Sequence, residues 1–356
     1  MDLSRINKLR ENFSSDNVSG IYITNITNVR YLTGFTGSAG SVLILEEGSY
    51  FFTDGRYTEQ VKDQVKNCKI YITGASHIKE IESQKLLLNN SRIGFEGEHI
   101  SYSGFQLLKK AFANVNWIET KNIVELIAAV KDMSEINSLK TAIEITDTVF
   151  DEIIPIIKEG VTENKIAATM SYKFKEHGAE GDSYDPIVAS GWRSALPHAT
   201  PTNKTLEKGD FVVMDFGALY NGYHADMTRT IVIGQATEKH KEIYQIVLNS
   251  QLAGIKKARA GITGAEVDRA CRDIIKNAGY GKFFNHSTGH GLGLEVHTHP
   301  RLSSINKEPL MENYVVTIEP GIYLPKWGGV RIEDDCWIQL DKCLPLNTSS
   351  KELIEL

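Results

Sequence analysis

"FVVMDFGALYNGYHADMTRTIVI", residues 211–233, is the stretch on which the reading of this chain turns. Asn221-Gly222 is the strongest short-range signal for a two-residue type I′ hairpin turn, because both central positions of that turn need positive φ. With those two residues at the turn, Tyr220 pairs with Tyr223, Asp215 opposes Thr228 and Asp226 opposes Gly217. Side chains alternate faces along a strand, so Asp215 and Asp226 share a face as diagonal neighbours about 7–8 Å apart at Cα. Strands are depleted in aspartate, and like charges on one face repel. Two aspartates inside apolar strands therefore call for something cationic between them.

Two further stretches carry carboxylates where a strand rarely places a surface charge. In "NYVVTIEPG" (residues 313–321) Glu319 ends an apolar run, in phase with Val315 and Thr317. In "GGVRIEDD" (residues 328–335) Glu333 and Asp334 have opposite strand parity, and the local pattern leaves the choice between them open. "STGHGLGLEVHTHPRL" (residues 287–302) sets three glycines among His290, His297 and His299. The glycines are spaced GxGxG, not GxGxxG, and the segment after them, "LEVH", reads as a strand. A phosphate cradle needs a helix N-terminus there, so nucleotide binding is excluded. The glycines are read instead as a tight bend that aims His290 into a site.

If Asp215, Asp226, His290, Glu319 and Glu333 converge, four carboxylates and a neutral imidazole carry a formal charge that two divalent cations balance. Hard oxygens with one nitrogen and no thiolate favour manganese(II), cobalt(II) or iron(II), with zinc(II) still compatible. Two ions about 3.5–4 Å apart activate water and clamp a tetrahedral intermediate, which is an arrangement for hydrolysis.

Around these segments the chain divides in two. With 356 residues it is too long for one ordinary core. "SGIYITN", "SVLILEE" and "GSYFFTDGR" read as strands, the last two as a hairpin, and alternate with helical "YTEQVKDQV" and "YSGFQLLKKAFANV". This predicts a smaller α/β domain over residues 1–130. Residues 131–356 read as two helices then strands, twice over. The first pair is a long helix running from Ser134 towards Gly160, then a helix capped by Thr162 and ended at Gly178. The second pair is Glu238–Ala260 and a helix opened by a Thr263–Glu266 capping box. The fold class is α+β, with duplicated αα-ββ halves facing each other across a cleft.

Composition narrows the function. A formal net charge of −6 offers no attraction to nucleic acid or anionic lipid. Four scattered cysteines without a CxxC pair exclude a zinc ribbon and suit a reducing cytosol. The charged N-terminus does not read as a signal peptide, and no run approaches the roughly 18 apolar residues of a membrane span. The expectation is a cytoplasmic protein with no membrane or nucleic-acid partner.

"MDFGALYNGYHADMTRT", "STGHGLGLEVH", "VVTIEPGIY" and "GGVRIEDD" resemble the signature segments of the metal-dependent Xaa-Pro peptidases, the proline dipeptidases and aminopeptidases P of the creatinase/prolidase family. "NVRYLTGFTGSAG" and "FFTDGRYTEQ" resemble that family's N-terminal domain, so the likeness spans nearly the whole chain. It implies a pita-bread catalytic domain, a dinuclear metal site, most typically manganese or cobalt, and a homodimer. It places Glu333, not Asp334, at the ligand position. It also implies that His198 in "SALPHATP" and His297 contact the substrate amide and carbonyl, and that Arg301 binds the substrate's terminal carboxylate. Glu319 becomes the general base as well as a ligand. The implied activity is hydrolysis of the bond before proline in Xaa-Pro dipeptides, with aminopeptidase P acting on longer peptides as the alternative. A metal-free creatinase-like or non-catalytic peptide-binding relative is the remote one. Two departures, Ala199 for the family's frequent glycine and Thr298 for its acidic residue, flank the substrate contacts and leave the metal ligands untouched.

Overall fold

The computed structural model describes residues 3–74 and 76–356. The chain forms two compact units, one ending at Ala128 and the other running from Ala129 to Leu356. In the first, the hairpin Ser41–Leu45/Gly48–Asp54 joins Gly20–Ile23, Arg92–Glu96 and the outer strands Lys69–Thr73 and Asn116–Thr120 in one six-stranded sheet. The hairpin is antiparallel and the outer pairings are parallel, reached through helices, as alternating strand and helix signals require. Its interior is built from β-branched and aromatic residues such as Ile21, Phe51 and Phe52, all fully buried.

The second unit repeats a pair of helices followed by strands. Met133–Ile153 and Glu163–Glu176 cover the sheet formed by Ile187–Ser190, Phe211–Phe216 and Met227–Val232. Glu238–Lys257 and Gly264–Asn277 cover a five-stranded sheet whose inner strands are Gly289–Gly291, Val315–Ile318 and Asp334–Ile338. Each half has its own core: Val149, Phe150, Met170, Phe174, Val212 and Met214 in the first, and Ile243, Val247, Val267, Cys271, Val316 and Cys336 in the second. Thr162 caps its helix through the Lys165 amide, and the Thr263–Glu266 capping box is formed in both directions. The α+β expectation holds in both its parts.

Several local expectations are corrected. The first long helix stops at Ile153, not near Gly160, because Pro155 has no N–H to continue the ladder and a 3-10 turn takes over. The helix from Glu238 ends at Lys257 rather than Ala260. "LEVH" is not a strand. Strands lie on either side of it, at Gly289–Gly291 and Thr298–Leu302, and residues 293–297 form the bend joining them. The bend therefore begins at the third glycine, Gly293, and is not made by Gly289 and Gly291. Those two sit in a strand and must be glycine, because a Cβ there would meet backbone oxygens, Thr317 O at 1.9 Å and His299 O at 2.1 Å.

Candidate metal centre

The hairpin forms in the register that its turn dictates. Asn221 and Gly222 have φ of 50° and 75°, Tyr220 pairs with Tyr223, and Asp215 lies opposite Thr228. The ladder is interrupted beside Gly217, where a Cβ would lie 1.8 Å from Ala225 O, so only glycine allows the two backbones to approach. Asp215 and Asp226 are brought onto one group, since the Tyr184 hydroxyl is hydrogen-bonded to both carboxylates.

The second half supplies the facing groups. His290 sits on Gly289–Gly291, its amide held by Thr317 Oγ1 at 3.1 Å. Its Nδ1 lies 3.1 Å from Gly291 O, and a carbonyl can only accept, so Nδ1 carries the proton. That leaves the Nε2 lone pair directed at the carboxylates, 3.6 Å from Asp226 Oδ2 and 3.5 Å from Glu319 Oε1. Glu333 accepts the Thr228 hydroxyl at 2.6 Å. Asp334, of opposite parity, turns away to a fully buried pair with Arg229 at 2.8 Å. One ligand atom each from Asp226, His290 and Glu333 lies within 4.8 Å of the others, and all three residues are buried.

These residues line a cavity of about 310 Å³ that is also bordered by Asp215, Glu319, His198, His297 and Arg301. The last three are exposed at its rim. Arg301 is the cross-strand partner of His290, so the two side chains leave the sheet on one face. Its guanidinium makes no hydrogen bond or ion pair with the described residues.

Three participants lie outside the residues singled out from sequence. Arg331 lies two residues before Glu333 and donates to Asp215 Oδ2 at 2.6 Å. It also donates to the Tyr323 hydroxyl at 2.8 Å, which in turn meets His286 Nε2 at 2.9 Å. An arginine inside the apolar run "GVRIE" is the same kind of anomaly as an aspartate in a strand, and parity with Glu333 places it on the same face. Tyr184 and His286 sit in loops, where no periodicity marks them.

Electrostatics show what the cluster lacks. Burial, then repulsion from Asp215, pushes the Asp226 carboxyl well above the usual range, and burial followed by repulsion from Asp226 does the same to Glu333. Burial raises Glu319 to about 7 against the opposing charge of Arg331. Burial likewise holds His290 down to about 3, keeping its imidazole neutral. Arg331 is the only cationic side chain among the described residues that is hydrogen-bonded to these four carboxylates. Buried carboxylates in this number need cations, and hard oxygens with one neutral nitrogen form a donor set that fits divalent metal ions.

The comparison with known proteins agrees. Residues 137–339 match Metallopeptidase family M24, and residues 5–130 match the Creatinase/Prolidase N-terminal domain. The chain is a member of metallopeptidase family M24. It is 38% identical to the Xaa-Pro dipeptidase of Pyrococcus furiosus, over 98% of this chain and 99% of that one. Among solved structures it superposes on an Xaa-Pro dipeptidase from Bacillus anthracis with a TM-score of 0.96 at 42% identity, covering 99% of each chain. It also matches an X-Pro aminopeptidase from Thermotoga maritima with a TM-score of 0.89 at 40% identity, covering 96% of this chain and 98% of that one. As an M24 peptidase with the α+β pita-bread fold, the protein uses divalent metal ions, and the buried carboxylate cluster is where this chain has donors for them. Among the described residues no helix is long and apolar enough to cross a membrane.

Proposed function

We propose that this M24 member is a dinuclear-metal Xaa-Pro dipeptidase. The observation that carries the reading is a small cavity, about 310 Å³, with a carboxylate–imidazole cluster inside and at its rim, on the face of His290, an Arg301 guanidinium that no described residue pairs. Two chemistries, peptide hydrolysis and capture of a free carboxylate, thus lie within the span of a short substrate. Asp215, Asp226, His290, Glu319 and Glu333 would hold two ions, manganese(II) or cobalt(II) ahead of zinc(II) or iron(II). When bound, the ions supply Lewis acidity and lower the pKa of water at the site.

The protein's own groups carry the rest. Arg301 pairs with the proline carboxylate and sets the substrate's register. His198 orients the substrate amide. His297, whose pKa partial desolvation at the cavity rim lowers from its ordinary value, offers an N–H to the carbonyl oxygen as negative charge builds there. Glu319 takes the proton of the attacking water and delivers it to the imide nitrogen of proline as the C–N bond breaks. The products are a free amino acid and proline. Aminopeptidase P is the second reading, favoured by the exposure of Arg301 and by the 40% identity to the Thermotoga maritima enzyme.

We further assign residues 1–130 to the creatinase/prolidase-type domain and 131–356 to the catalytic domain, supported by the two family matches. A homodimer is inferred from the family resemblance, and a cytoplasmic setting from four free cysteines scattered without a CxxC pair.

The test compares kcat/KM on Ala-Pro and on an Ala-Pro-containing tripeptide, with and without chelation, for wild type and Arg301→Ala. Chelation abolishes both activities, and metal analysis of the active enzyme finds manganese or cobalt. Arg301→Ala lowers the dipeptide rate at least about tenfold, equivalent to about 1.4 kcal/mol of transition-state binding, and spares the tripeptide. Full activity after thorough chelation overturns the metal mechanism, and equal losses on both substrates overturn the dipeptidase reading.

A further inference from the structure

Asp335 is fully buried, two residues beyond Glu333 and directly opposite Thr317 on the neighbouring strand. It follows that Asp335 lies on the face that also carries Thr317, the residue holding the His290 amide. Its Oδ2 accepts the Asp226 backbone N–H at 2.9 Å. Asp226 comes just before the strand Met227–Val232, which lies at the edge of its sheet, so no neighbouring strand is there to take that N–H. The hairpin register pairs Ala225 with Ala218 through the Ala225 amide, and alternation then turns the Asp226 N–H outward.

Asp335 is itself held on both sides. Its N–H donates to Asn347 Oδ1 at 2.7 Å, and its carbonyl accepts from Leu346 at 2.8 Å. Its other carboxylate oxygen, Oδ1, is buried without a hydrogen-bond partner among the described residues. A buried carboxylate satisfied on one side only is costly, and an apolar residue would be the cheaper filling for that space. The one bond it does make goes to the main chain of a cluster carboxylate.

We propose that Asp335 is a positioning residue for the metal centre: its carboxylate fixes the backbone at Asp226 and so sets how tightly the site holds its cations. Asp335 reaches across from the second helix–strand repeat to a hairpin of the first. It ties the two repeats together at the point where their carboxylates meet. The inference rests on the reading of Asp226 as a metal ligand. Partners that orient metal ligands typically contribute 10–100-fold in metal affinity, so Asp335→Ala is expected to weaken Mn(II) binding by about that factor.

The experiment titrates Mn(II) into the metal-free full-length protein by calorimetry, for wild type, Asp335→Ala and Asp335→Asn. Asparagine keeps a side-chain oxygen able to accept the Asp226 N–H but drops the charge. Recovery of affinity in the asparagine variant, with loss in the alanine variant, supports positioning through the backbone bond. An equal loss in both overturns it, because the charge would then be the operative feature. Unchanged affinity in both overturns it as well. Steady-state rates on Ala-Pro give a second readout: the alanine variant keeps the wild-type KM and regains kcat as Mn(II) is raised, whereas a purely structural role leaves the Mn(II) dependence unmoved. Where Asp335→Ala does not fold, Asp335→Val fills the space and still lacks the acceptor. Failure of the wild type to bind Mn(II) would count against the ligand reading of Asp226, a result distinct from failure of the Asp335 assignment.

Discussion

Replacing Gly289 with alanine tests how the strand carrying His290 is seated. A Cβ at this position would lie 1.9 Å from Thr317 O, 2.8 Å from Thr317 C and 3.0 Å from Thr317 Oγ1. Carbon–oxygen contacts between neighbouring strands settle at about 3.3–3.6 Å, so the two strands must part locally by roughly 1.4 Å. That displacement breaks the 3.1 Å bond from the His290 amide to Thr317 Oγ1. It also carries Nε2 away from Asp226 and Glu319, which it now approaches to 3.6 and 3.5 Å. Overpacking costs about 1–3 kcal/mol and the lost hydrogen bond about 1 more, giving a destabilisation of about 2–4 kcal/mol. Urea denaturation of the metal-free protein measures it, with Gly293→Ala as the control. At Gly293 a Cβ meets only the side-chain end of Lys131, at 3.3 Å, and no backbone atom. Gly289→Ala should unfold at clearly lower urea and bind Mn(II) more weakly, while Gly293→Ala stays close to wild type. If the two variants have the same midpoint, the close-approach explanation of Gly289 is wrong.

Two further outcomes follow from the charges. Arg331→Met leaves the partly buried Asp215, its side chain 13% exposed, without its cationic partner and should destabilise the metal-free protein by about 3 kcal/mol, with a smaller deficit once Mn(II) supplies positive charge; an equal deficit with and without metal would count against that compensation. The metal-free protein should also lose stability between pH 6.5 and pH 8.5. Burial raises Asp226 and Glu333 well above their ordinary values, with repulsion from Asp215 adding to the first and from Asp226 to the second, and Glu319 is raised to about 7 by burial. These carboxyls keep protons in the folded state that the unfolded chain has already released. Their contribution is complete below the unfolded pKa and disappears as pH rises through the folded one, at about 1.4 kcal/mol per pH unit for each carboxyl still protonated. His286 and His290, held down by burial to about 4 and about 3, act in the opposite sense, but only below pH 6.5. Denaturation of chelated protein at the two pH values checks this, and a flat or rising stability contradicts it.

What could be read without the structure was short-range. Asn221-Gly222 specifies its turn through local φ preferences, and a two-residue loop leaves one register, so the facing of Asp215 and Asp226 was already implied at positions eleven residues apart. The capping residues Thr162, Thr263 and Glu266 act within one helical turn and were equally legible. The Pro155 stop is local too, but the apolar spacing on either side of it continued the helical pattern and obscured it.

The remainder depended on contacts that no local pattern encodes. The spacing of Gly289 and Gly291 suggested a bend, whereas their lack of side chains answers to Thr317 and His299, whose backbone oxygens arrive by strand pairing. Parity separated Glu333 from Asp334, but only the partners made through folding, Thr228 for one and Arg229 for the other, show which carboxylate faces the cavity. Tyr184, Arg331 and Asp335 reach the aspartate hairpin from 31 to 116 residues away. Sequence alone determined the chemical kinds present and the hairpin that pairs two of them, because turn geometry and strand alternation act over a few residues. The tertiary structure decided which distant groups complete the cluster, because burial and close approach are properties of the assembled core.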